Sequence, residues 1–144
     1  MVTGLQHLHS FLAYPVLLLL IITVLVALSK VAGKKPYGGL KKLALITLIF
    51  THTQFLVGII NYFVSPYGIK NFSGENMGNS TARLLMLEHP LMMLIAIILI
   101  TIGNAKAKKA TTDVQKSKTI LIFFGLGLIL ILSRIPWSMW FAGM

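Results

Sequence analysis

Four separate apolar runs, at 5–29, 43–64, 84–103 and 119–142, are each long enough to cross the hydrocarbon of a bilayer. No other feature constrains the fold as much. Inside hydrocarbon a backbone has no water to bond, so each run must satisfy its own amides and is predicted to be a helix. The connections at 30–42 and 104–118 are short and predict antiparallel neighbours. The expected fold is therefore all-α: a polytopic membrane protein with a single membrane domain over 1–144, built as an antiparallel four-transmembrane-helix bundle. Composition agrees, with 56% hydrophobic and 11% charged residues, where a soluble domain carries about 25% charged. The absence of cysteine excludes disulfides, thiolate metal sites, covalently attached haem and iron–sulfur clusters.

The net charge of +10 belongs to the loops. Lys30, Lys34, Lys35, Lys41 and Lys42 crowd one connection, and Lys106, Lys108, Lys109, Lys116 and Lys118 crowd another. Charges that flank apolar runs without forming a face do not read as a nucleic-acid surface. By the positive-inside rule both Lys-rich loops are expected in the cytoplasm. Both termini and the 65–81 loop are then expected outside, on the periplasmic side of a cell inner membrane. The first Lys cluster follows the first run, the reverse of a cleavable signal peptide, so that run is expected to be retained. Trp137, Trp140 and Tyr67 fall where helix ends would meet the outer interface, as an aromatic belt does.

Ionisable groups within membrane spans are costly and mark functional sites by default. Here they are His7, His9, His52, Glu88, His89 and Arg134. Helical rise from the outer boundary puts His7 and His9 roughly 5 to 8 Å deep, His89 about 9 Å, Arg134 about 12 Å and His52 about 16 Å. All belong to the outer half, which suggests one site. On helix three, Ala82, Met86, His89, Met93, Ala96 and Gly103 share a face; small residues on such a stripe mark a helix–helix contact, so His89 is expected to point inward. Pro90 frees a carbonyl one turn back and permits a kink there. On helix two, Thr47, Thr51, Gln54, Gly58 and Asn61 form an inward stripe, with His52 beside it and facing either the site or a neighbouring helix. On helix four, Gly127, Arg134, Ser138 and Phe141 share a face. Gly58 and Gly127 either make room for a planar group or allow close helix packing.

Haem iron takes axial histidines from facing helices of a bundle. Two such nitrogens sit about 4 Å apart at similar depth. His9 with His89 is the first candidate pair and His52 with His89 the second, so His9, His52 and His89 are the candidate metal ligands for one haem b. Arg134 suits the propionates, and Glu88 either pairs with Arg134 or orients a ligating imidazole. A second reading is copper, with Met86, Met93, His7, His9 and His89 as ligands of suitable softness. A third is an accessory subunit whose histidines only pack. There is no phosphate loop, HExxH motif or nucleophile elbow, and only three acidic residues, so an electron carrier or accessory protein is expected in preference to an enzyme. The fitting partners are the lipid bilayer, a quinone or redox protein, and further copies or subunits of a membrane complex; nucleic acid is not among them.

The segments LQHLHSFLAYP, THTQFLVGIINYF, LEHPLMMLIAI and SRIPW together resemble the small four-helix, cytochrome b-like membrane proteins of Bacteroidetes, over all four spans. The resemblance implies that His9, His52, His89 and Arg134 are signature positions. More loosely, the chain is similar to one half of haem A synthase, a four-helix unit with histidine ligands and a Gln-x-x-x-Gly helix. Gln54 to Gly58, and Glu88 with His89, stand in those places, which implies a cofactor-binding role for Gln54 and Glu88. That enzyme contains two such halves and this chain supplies one.

Overall fold

The computed structural model describes residues 2–142. Met1, Gly143 and Met144, included in the single domain expected over 1–144, lie outside the described residues. The described residues are helical with no strand. Helix α1 is Val2–Gly33, α2 is Gly38–Val64, α3 is Ser80–Lys109, α4 is Asp113–Ser133, and a short α5 is Trp137–Phe141. The four long helices are each long and apolar enough to cross a membrane.

The helix ends follow local chemistry. Beyond Gly33, Lys34 takes a left-handed φ of 50°, and the Lys35 N–H bonds back to the Lys30 carbonyl, closing α1. Ser65 precedes Pro66 and is extended, which stops α2. Asn79 accepts from the Ala82 N–H and starts α3; Thr112 accepts from the Gln115 N–H and starts α4.

Several boundaries differ from the sequence expectation; α1 runs on to Gly33 and α2 begins already at Gly38. Helices three and four extend into the lysine-bearing segments, reaching Lys109 and beginning at Asp113, because helical bonding does not stop where apolarity does. At the other end the run 119–142 is not one helix. Pro136 cannot donate to the carbonyl one turn back, so α4 ends at Ser133 and α5 restarts at Trp137. The expected common face of Gly127, Arg134, Ser138 and Phe141 is broken at that point.

Helix α1 packs on α2 and α4, α3 packs on α4 and more lightly on α2, and α1 and α3 stand across from one another. The core is built from Leu20, Ala27, Leu40, Ala44, Ala96, Ile100, Ile120 and Phe124. Close approach is set by glycine: a Cβ on Gly103 would overlap the Cβ of Phe123, and one on Gly127 would lie 2.8 Å from Ile100 and 3.4 Å from the Ala96 carbonyl oxygen. Gly127 therefore serves helix packing, not a planar group. Buried Thr23 and Thr47 hydroxyls meet at 2.7 Å and tie α1 to α2. The outer surface is apolar, with Phe11, Leu56, Phe63 and Ile129 among the exposed side chains. Its extent exceeds any patch a soluble monomer normally shows.

Candidate cofactor-binding site

Away from the lysine-bearing connections, the helices part around a cavity of about 530 Å³. Walls from all four long helices surround it, and Ser65, Gly68, Pro136 and Trp140 complete it at that end. Its volume lies in the cofactor range of about 300–1,000 Å³. The lining is largely apolar, with His9, Gln54, Asn61 and His89 as its convergent polar groups.

Two prolines shape the His89 side. Pro90 has no N–H for the Met86 carbonyl. The helix widens to a π-turn over Leu84–Glu88, with the His89 N–H bonding to Leu84, and the Tyr62 hydroxyl donates to the Met86 carbonyl at 2.8 Å. A π-turn of this kind re-aims the side chains beside it. At the end of α4 the break at Pro136 leaves the carbonyls of Leu132, Ser133 and Arg134 without helical donors, and the Arg134 guanidinium takes that of Ser133 at 2.8 Å. The Trp137 indole N–H takes that of Leu132 at 3.0 Å, and Nδ1 of His89 takes that of Arg134 at 2.8 Å. A carbonyl only accepts, so Nδ1 carries the proton and Nε2 of His89 keeps its lone pair. Imidazoles that ligate metals are held this way, their second N–H given to a carbonyl.

The facing ring is His9. Its Cε1 would lie 2.9 Å from a Cβ on Gly58, so glycine is needed where the ring rests on α2. The Gln54 amide donates to the His9 carbonyl at 2.8 Å and fixes that turn of α1. The ring centres of His9 and His89 are 6.2 Å apart, with planes at 89°. Imidazoles on opposite sides of one metal have nitrogens about 4 Å apart and ring centres about 6 Å apart. Nδ1 of His9, Oε1 of Gln54 and Oδ1 of Asn61 are buried with no hydrogen-bond partner among the described residues. All three residues line this cavity. Clustered unpaired polar atoms of this kind are rare in folded chains and fit a polar or metal-bearing ligand.

The other candidate residues lie elsewhere. His52 is exposed on α2; its Nδ1 donates to the Leu48 carbonyl at 2.8 Å and its Nε2 meets the Thr101 hydroxyl of α3 at 3.2 Å. It faces a neighbouring helix and does not line the cavity. His7 is exposed and also outside it. Of Arg134, the main-chain carbonyl reaches His89, while the guanidinium pairs with Glu88 in a separate cleft. Met86 and Met93 do line the cavity.

Sequence reasoning did not identify Tyr62 as a partner of the Pro90 turn, nor Arg83, which joins Glu88 at 2.8 Å. The orphaned Met86 carbonyl was a signal that some donor must come from another helix. Among the described residues no three His, Asp or Glu side chains gather to hold a metal ion by themselves. Comparison with protein-family models, curated proteins and solved structures finds no match for the chain.

Proposed function

We propose that this chain is a multi-pass protein of the cell inner membrane, an antiparallel four-helix bundle that binds one b-type haem between His9 and His89 and serves in electron transfer. The observation that carries the reading is the pair of imidazoles with ring centres 6.2 Å apart, both lining a cavity of about 530 Å³, one of them held by a carbonyl with its Nε2 lone pair available. With two imidazoles lining the cavity among the described residues, the remaining ligands would come from the group itself, which a porphyrin supplies. The cavity is too large for a bare ion, so copper held by His9, His89, Met86 and Met93 is the weaker reading.

Each residue then has a task. His89, locked through Nδ1, would hold the iron by its Nε2, and His9, seated on Gly58, would supply the second imidazole. Gln54 holds the His9 turn, and Tyr62 and Trp137 keep the two proline breaks from leaving unpaired carbonyls in an apolar setting. The Arg134 guanidinium lies in the separate cleft with Glu88, so Arg134 contributes here through its main chain. The bound iron would exchange one electron, passed to or from a quinone or a partner protein. The ten clustered lysines support an orientation with both Lys-rich loops in the cytoplasm and both termini outside.

A reduced-minus-oxidised spectrum with a pyridine haemochrome assay on purified protein tests the reading. One haem b per chain is expected. His89→Ala abolishes the low-spin spectrum, His9→Ala converts it to high spin or loses it, and His52→Ala is mild. A normal six-coordinate spectrum in His89→Ala, or no haem in the native protein, overturns the proposal. For orientation, a membrane-impermeant reagent labels Ser73→Cys and spares Gly38→Cys; the reverse pattern inverts the topology.

A further inference from the structure

The chain contains two arginines, Arg83 and Arg134, against eleven lysines. They are far apart in sequence, yet both meet one carboxylate. Arg83 Nε lies 2.8 Å from one oxygen of Glu88 and Arg134 Nε lies 3.5 Å from the other. Glu88 is one of only three acidic residues in the chain, so the cluster carries one positive charge in excess.

Each guanidinium has five N–H donors. Arg83 spends one on Glu88 and one on the Met77 carbonyl; Arg134 spends one on the Ser133 carbonyl and turns Nε to Glu88. At least half of the donors on each fork thus stay uncommitted among the described residues. The side chains are 37% and 43% exposed, open enough to receive a ligand. They flank a cleft of about 310 Å³, shared with Ser80, Thr81 and Ser133 on the seam between α3 and α4. Only Ile135 is common to the lining of this cleft and of the histidine cavity.

We propose that the Arg83–Glu88–Arg134 cleft is a binding site for a phosphate-type oxyanion, distinct from the histidine cavity. Planar, always-charged forks match the tetrahedral oxygens of a phosphate, which a lysine pair would not do as well. Glu88 holds the two forks in register and cannot neutralise both. The cleft opens at a helix seam near the end of the spans, where the phosphate of an anionic phospholipid headgroup would lie, and inorganic phosphate offers the same chemistry.

The test measures retention of phosphatidylglycerol against phosphatidylcholine by native mass spectrometry of the full chain released from mixed-lipid nanodiscs, alongside thermal stability in inorganic phosphate. Preferential retention of phosphatidylglycerol, reduced about tenfold in Arg83→Gln and in Arg134→Gln, supports the site and assigns it to lipid. Stabilisation by inorganic phosphate that both variants lose, without lipid preference, supports the site and assigns it to a soluble anion. Arg83→Lys keeps the charge without the fork and should also lose retention, which serves if the glutamine variants do not fold. Lys70→Gln removes a charge at the same end of the molecule, outside the cleft, and should change retention less than twofold. Equal retention of both lipids with no effect of phosphate overturns the proposal, as does a Lys70→Gln loss equal to that of the arginine variants.

Discussion

The two ends of the helices are built on different rules. Toward the lysine-bearing connections, small residues let backbones approach closely: Gly103 abuts Phe123, Ala44, Ala96 and Ala107 are fully buried, and Phe124 and Ile120 fill what is left. Polar groups there are few: Thr23 pairs with Thr47, and the buried Ser117 hydroxyl stands alone without a partner among the described residues, where the other end has a cluster of such atoms. Toward the histidines, the helices part around the cavity, two of them are interrupted by proline, and unpaired polar atoms remain. One end has the packing of a structural core. The other has the looseness and unsatisfied polarity of a binding site, and its helix breaks supply the carbonyl that holds His89. Helix breaks in an apolar setting are tolerated where they line such a cavity.

The sharpest way to break this comparison is to delete the same side chain from each end. Phe124→Ala, in the close-packed end, should cost about 3–5 kcal/mol. Phe55→Ala, on the cavity wall, should cost about 1 kcal/mol or less. Reversible unfolding in mixed micelles measures both, and equal costs would remove the distinction between the two ends.

A smaller effect tests the Pro90 turn. Tyr62→Phe leaves the Met86 carbonyl without its donor and should destabilise by about 1–3 kcal/mol. If the proposed haem is bound, the substitution should also loosen His89, read as a broadened low-spin spectrum. A variant as stable as the native chain would mean that the π-turn needs no outside donor.

The smallest effect is expected from Thr23→Val. Interhelical hydrogen bonds within membranes average about 0.6 kcal/mol, and Thr47 keeps its bond to the Leu43 carbonyl. A cost several times larger would show that the close-packed end depends on polarity more than on shape.

Much of this was legible in the residues. Four apolar runs gave four long helices, and the spacing of Met86, His89 and Met93 put all three on the cavity wall. The Thr47, Thr51, Gln54, Gly58 and Asn61 stripe also turned inward: the two threonines are buried and the other three line the cavity. His52 was ambiguous from its angle beside that stripe, and only the position of Thr101 on the adjoining helix resolved which way it faces. The fourth helix was extended too far because its apolarity continues past Pro136, and hydropathy does not register a missing N–H.

The sequence by itself determined the helices, their approximate ends and the inward faces of the second and third, because hydrogen-bond closure in an apolar setting and helical periodicity are local properties. Which residues meet across those faces was decided only by the tertiary structure. Arg134 shows the difference: as a residue type it suggested an anion ligand, but the break at Pro136 sends its carbonyl to His89 and its guanidinium to Glu88 beside Arg83. That outcome depends on where two separate helices are interrupted and how they register against each other, and no spacing within either helix contains it.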